Sequence, residues 1–119
     1  MLFKLVNGEV VANKIKYADT FSGRFLGLMF KRQFPVEYDA LLITPCNAVH
    51  TMFMRYPIDV LFLDRDLKVL YIYEEMRPGR LSPSIKNAAH VVELAAGSVQ
   101  KSKLVEGDIL YLNSSAKVV

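Results

Sequence analysis

Apolar residues along the chain come in short runs broken by turn formers, and the period of those runs changes from one region to the next. Leu2 to Val6, then Asn7-Gly8, then Glu9 to Ile15 predicts a β-hairpin, because Asn-Gly supplies the positive φ angles of a two-residue type I′ turn. From Asp19 or Thr20, either of which can cap a helix, to about Phe30, the positions Phe21, Phe25, Leu28 and Met29 recur at helical spacing. They predict one amphipathic helix, ended by Pro35 and the polar run Glu37-Tyr38-Asp39. Ala40 to Thr44, Val49 to Met54, Ile58 to Leu63 and Lys68 to Tyr73 are short apolar, β-branched and aromatic segments that read as strands. Pro45, Pro57 and the turn Asp64-Arg65-Asp66 punctuate them at the spacing of an antiparallel meander, not of βαβ units.

Glu74 to Asn87 holds Pro78, Gly79 and Pro83 together with Arg77, Arg80 and Lys86, which predicts an exposed loop. His90 to Ala95 reads as a further strand, Gly97 to Val105 as a short helical or irregular connection, and Asp108 to Asn113 as a closing strand. No internal repeat or second core interrupts the chain, so residues 1–119 form a single domain. The expected fold is α+β and mainly β: a single antiparallel, barrel-like sheet with one amphipathic helix and short helical connections.

Composition narrows the function classes. Hydrophobic residues make up 52% and charged residues 23% of the 119, which argues for a dense core and against disorder. A net charge of +3, from 15 basic and 12 acidic residues spread along the chain, predicts no nucleic-acid partner. The single cysteine, Cys46, rules out an internal disulfide and fits a reducing compartment. The first residues turn polar before a secretory apolar core is complete, and no stretch reaches the roughly 18 apolar residues of a spanning helix. The expectation is a cytoplasmic protein without a membrane span.

Candidate chemistry concentrates in a few places. Asp59, in a strand, points with Leu61 and Leu63, while Ile58, Val60 and Phe62 point the other way, so neither face offers it water. Such a carboxylate must be paired, hydrogen-bonded or raised in pKa. Two explanations are structural: acceptance of backbone hydrogen bonds, or a pair with Arg24 on the helix. Glu93, flanked by Val91 and Ala95, poses the same problem, and convergence of Asp59 and Glu93 across adjacent strands would make a general acid and base. On the helix, Arg24, Gly27 and Lys31 share a flank that packs against the sheet or, with Arg77 and Arg80, seats an anion. His50-x-Met52-x-Met54 invites a soft-metal reading, but alternate strand positions stand roughly 6.6–6.8 Å apart, so no metal site and no cofactor is expected. GxSxG, P-loop, GxGxxG and HExxH motifs are absent.

Several segments in order resemble the domain of unknown function 192 family: Arg24-Phe25-Leu26-Gly27-Leu28-Met29, His50-Thr51-Met52-Phe53-Met54, Pro57-Ile58-Asp59-Val60-Leu61-Phe62-Leu63-Asp64, Val91-Val92-Glu93-Leu94-Ala95-Ala96-Gly97 and Gly107-Asp108. Where many members carry Phe-Trp-Met, this chain has Met52-Phe53-Met54, which removes the tryptophan. The resemblance implies a small, largely β fold. The leading expectation is a binding module for a small polar or anionic ligand, framed by Arg24, His50, Thr51, Met54, Asp59 and Glu93 with Arg77 and Arg80 at the rim. Two others stand beside it: a hydrolase-like enzyme using Asp59 and Glu93, with no further catalytic residue, and a protein-interaction module of a larger secretion or envelope machine.

Overall fold

A computed structural model describes residues 1–19, Leu28 and 31–113, with the backbone of 117–118. Its strands are β1 (Leu2–Lys4), β2 (Val10–Ala12), β3 (Ile15–Ala18), β4 (Ala40–Ile43), β5 (Ile58–Leu63), β6 (Val69–Met76), β7 (His90–Ala95), β8 (Leu110–Leu112) and β9 (Lys117–Val118). One short helix, α1 (Ser98–Ser102), follows β7. Arg24, Gly27 and most of the expected amphipathic helix lie outside the described residues; Leu28 is buried.

The strands form two sheets. A three-stranded sheet has the order β2-β1-β8, and a six-stranded one the order β6-β5-β7-β4-β3-β9. The single antiparallel sheet expected from the spacing is therefore divided, and among the described residues neither part closes into a barrel. The larger sheet is also mixed, since β3 runs parallel to both β4 and β9.

The division begins within what reads as one strand, Glu9 to Ile15. Val10–Ala12 pairs with β1, whereas Ile15–Ala18 belongs to the other sheet. At the bend between them the Asp39 carboxylate accepts the N–H groups of Asn13 (2.9 Å) and Lys14 (2.6 Å), and the Lys14 carbonyl accepts the N–H groups of Asp39 and Ala40. The expected two-residue hairpin turn is instead a five-residue connection, Leu5-Val6-Asn7-Gly8-Glu9. Gly8 there takes φ 72° and donates to the Lys4 carbonyl, a conformation that costs glycine little.

Both faces of the six-stranded sheet are covered. On the face toward the small sheet, Leu61, Leu63, Val92, Leu94 and Leu42 pack with Leu2, Val99, Leu104 and Leu110. On the other, Ile58, Val60, Phe62, Leu41, Ile43 and Val91 pack with Leu28, Tyr38, Met54 and Met76. This explains why every residue of β5 is buried and why all but Asp59 are apolar, each buried large apolar side chain contributing about 1.5–3 kcal/mol relative to exposure. The outer face of the small sheet is less covered: Phe3 pairs with both Val10 and Tyr111, and Val10, Leu5, Ile109 and Tyr111 are exposed.

Val49 to Met54 is not a strand. His50 makes a single bridge to Leu81, a turn follows, and Phe53 takes φ 63°. Thr51 causes this, because its polar atoms serve the next loop instead of a ladder. β6, by contrast, runs on into the expected loop as far as Met76, which pairs with Ile58. No helix among the described residues is long and apolar enough to cross a membrane.

Candidate functional site

Two carboxyl groups enter the core from neighbouring strands, and the register separates them. Asp59 stands opposite Leu94, and Glu93 opposite Val60. Because side chains alternate along a strand, Asp59 points with Leu61 and Leu63 toward the small sheet, while Glu93 points with Val60 and Val91 to the other face. Lying on opposite faces, they cannot act together on one substrate, and the acid–base pair expected of them is not formed.

Asp59 is 1% exposed and fully occupied. Its Oδ1 accepts the Glu75 N–H at 2.8 Å, and its Oδ2 accepts those of Gly97 at 3.1 Å and Val99 at 2.9 Å. One side chain thereby holds the left-handed residue Glu75 (φ 51°) of β6 and the start of α1, where Gly97 sits at φ 95°. Backbone acceptance, one of the two structural explanations, is realised; the other, a pair with Arg24, falls outside the described residues. Asp59 acts as a brace.

Glu93 is 4% exposed, and among the described residues no hydrogen bond or ion pair reaches it. Burial pushes its carboxyl up from the ordinary 4.5 to about 8. Successive strand pairings set it in a row across the sheet, Lys16, Leu41, Glu93, Val60 and Tyr73. Two more phenols belong to the same face. Tyr38 leads into β4 and is buried, and Tyr56 leads into β5 and packs against the same cluster. The Tyr56 hydroxyl is buried with no hydrogen-bond partner. Burial first, then Tyr38 and Glu93, pushes it up to about 12. Tyr38 is raised by burial, then by Glu37 and Glu93. The Lys16 ammonium lies over the Tyr38 ring, 5.4 Å from its centre, and forms no ion pair with Glu93.

Other expected site residues have structural employment. Thr51 is wholly buried; its hydroxyl donates to the Arg77 carbonyl at 2.6 Å and accepts from the Arg80 N–H at 2.8 Å. Arg77 and Arg80 thus contribute backbone to this knot, while both residues are exposed. His50 is half-buried, its Nδ1 accepting the Met52 N–H. Met54 is buried on the Glu93 face. His90 bonds Thr44 through Nδ1 at 2.8 Å. Among the described residues, no three His, Cys, Asp or Glu side chains converge as metal ligands would.

The structure thus brings Glu93 and Met54 to one face, puts Asp59 on the other, and adds Tyr38 and Tyr56, which the sequence reading passed over. A usable signal was there: each is a tyrosine within two residues of a buried strand, so that its ring follows the strand inward. A separate cleft of about 780 Å³ lies where β2, α1 and the end of β7 meet, lined by Val11, Lys14, Phe34, Tyr38, Ala95 and Lys101 among others. None of the expected site residues lines it, but Phe34 and Tyr38 pack in an edge-on pair on the Glu93 face as well.

Residues 3–112 match DUF192, described as an uncharacterized ACR. A UPF0127 protein of Pyrococcus furiosus is 32% identical over 114 residues, covering 94% of this chain and 97% of its own. A crystal structure described as a putative transcription regulator from Sinorhizobium meliloti is 28% identical, with a TM-score of 0.72 over 82% of this chain and 79% of its own. A protein of unknown function from Novosphingobium aromaticivorans, 19% identical, shares the fold at a TM-score of 0.72 over 82% of this chain and 74% of its own.

Proposed function

The chain belongs to the DUF192 family of uncharacterized proteins, and from that premise we propose that it is a binding module for a small polar ligand held at Glu93. Tyr56 and Tyr38 supply the polar and aromatic walls and Met54 part of the apolar floor. The observation that carries this reading is the contrast in how buried polar groups are satisfied. Native proteins pair nearly all such groups, and each unpaired one costs about 1–3 kcal/mol. Asp59 and Thr51 obey the rule, whereas the Tyr56 hydroxyl does not, and Glu93, on the same face and within its electrostatic reach, receives no hydrogen bond among the described residues. A ligand that hydrogen-bonds both would recover that cost on binding.

The test is a thermal-shift screen of metabolites on wild type and Glu93→Gln. A ligand at 100 times its Kd adds about 2.7 kcal/mol, several degrees of melting temperature for a domain of this size. The expected result is one chemical class that stabilises wild type by that amount and loses most of the effect in the variant. Equal melting of both proteins with every compound rejects the reading.

A further inference from the structure

We infer that the cleft between β2, α1 and the end of β7 is a second binding site and that it takes a small organic anion, its acidic group on Lys14 and Lys101 and its apolar or aromatic body against Phe34. The inference goes beyond the site at Glu93, since neither Glu93 nor Tyr56 lines this cleft. Its volume of about 780 Å³ falls within the roughly 300–1,000 Å³ of small-molecule sites. Stretches of chain far apart in sequence build it: β2 with the bend after it, the segment leading into β4, and the corner from β7 into α1. The Asp39 carboxylate ties the first two together by accepting the Asn13 and Lys14 N–H groups at 2.9 and 2.6 Å. Phe34 and Tyr38, with ring centres 5.9 Å apart, form one wall. Val10 and Val36 line the cleft too, and they remain 41% and 82% exposed, which leaves apolar surface for a ligand's body to cover.

The sign of the ligand's charge follows from which lining groups are already engaged. Among the described residues four charged side chains line the cleft, Glu9, Lys14, Asp39 and Lys101, and they sum to zero. Both acids have partners: each Asp39 oxygen accepts a backbone N–H, and Glu9 lies 3.7 Å from the Lys4 ammonium. The ammonium groups of Lys14 and Lys101 form no hydrogen bond or ion pair among the described residues. Residues 20–27, 29–30 and 114–119, which lie outside that description, contain no Asp or Glu. The hydroxyls of Ser98 and Ser102 already donate to the Ala95 and Ser98 carbonyls at 2.6 and 2.7 Å. The two lysines are therefore the charged donors a guest meets, and an ammonium offers donors and no acceptor, so anionic oxygens suit it. Both lysines are exposed, and salt and water weaken an exposed charge pair. The apolar wall must then supply part of the affinity, so neither a bare anion nor a bare ring fills the site.

Four probes test this: phenyl phosphate, inorganic phosphate, phenol and benzylammonium, each titrated into ¹⁵N-labelled protein and followed by NMR. The expected result is that phenyl phosphate shifts the Lys14, Tyr38 and Ser98 amides together and binds about tenfold more tightly than either inorganic phosphate or phenol. Lys14→Gln and Lys101→Gln, at exposed positions where the fold tolerates the change, are each expected to weaken phenyl phosphate about fivefold with the melting temperature unchanged. Raising the salt from about 0.05 to about 0.5 M is expected to weaken it as well. If phenol binds as tightly as phenyl phosphate, or if the two lysine variants bind it like wild type, the anion seat is overturned. Tighter binding of benzylammonium would show that Glu9 and Asp39 set the sign of the cleft, which reverses the ligand class. Inorganic phosphate binding as tightly as phenyl phosphate would remove the apolar wall from the site. If no probe moves the three amides, the cleft is not a binding site.

Discussion

Asp59 and Glu93 occupy adjacent strands, are almost equally buried, and face opposite ways. Toward the small sheet, Asp59 gathers three N–H groups from β6 and α1 and fastens both to β5. On the far face Glu93 gathers none among the described residues. Burial of an acid, which is what a sequence can reveal, therefore says nothing about its role. The distinguishing quantity is how many hydrogen bonds the fold supplies. A satisfied acid is part of the frame, and an unsatisfied one marks where the frame stops.

That comparison breaks most visibly through Asp59. Asp59→Ala leaves three backbone N–H groups without their acceptor, and the expected loss is about 4 kcal/mol or more in urea unfolding. Asp59→Asn keeps one oxygen but turns an amide N–H toward donors, so about half that loss is expected. A loss below about 1 kcal/mol for Asp59→Ala would remove the brace.

Glu93 has the opposite sign. Its folded pKa, about 8, lies above its ordinary 4.5. Between those values the unfolded chain has released the proton and the folded chain still holds it. Stability at this group is therefore fully present below pH 4.5 and falls as pH rises toward 8, by about 1.4 kcal/mol for each unit at most. Glu93→Gln cannot titrate. The difference in unfolding free energy between variant and wild type is expected near zero at pH 5 and to favour the variant by about 3 kcal/mol or more at pH 8. A difference independent of pH would mean that Glu93 is ionised and paired.

Much of the frame was legible because local pattern and tertiary burial agree there. β5 and β7 coincide with their expected spans, since both are interior strands with apolar residues on both faces and are bounded by Pro57, Asp64 and Gly97. The sheet change at Asn13-Lys14 was not, because the carboxylate that fixes it comes from Asp39, some 25 residues away. Burial of Asp59 and Glu93 could be read from their neighbours. Their separation could not, because which residue stands opposite which depends on strand register, a property of the pairing and not of either strand alone. The phenols were marked only by their nearness to buried strands: Tyr38 and Tyr56 sit in irregular segments, where no periodicity assigns a side chain to a face.

Thr51 offers a check on the satisfied side of the comparison. It is as buried as Asp59 and almost as heavily used, donating to Arg77 and accepting from Arg80. Thr51→Val keeps the shape and removes the hydroxyl, leaving the Arg80 N–H without this acceptor and the Arg77 carbonyl without this donor. The expected cost is about 2 kcal/mol, with faster amide exchange confined to the 77–81 loop. Uniformly faster exchange would make Thr51 part of the general core instead of a local knot.

The smallest effect is the most discriminating, because it pits stability against binding. In Tyr56→Phe the ring and its packing stay, and a buried hydroxyl without a partner disappears. A group that serves only the fold loses stability when truncated. This one is expected to gain about 1 kcal/mol in urea unfolding, since folding no longer strips water from an unsatisfied oxygen. The same change is expected to weaken binding of a polar ligand held at Glu93 about fivefold, by removing one of its hydrogen-bonding groups. A stability gain with unchanged binding would place Tyr56 outside the site. A stability loss would show that the hydroxyl already has a partner, and Tyr56 would then stand with Asp59 and Thr51, on the side of the frame.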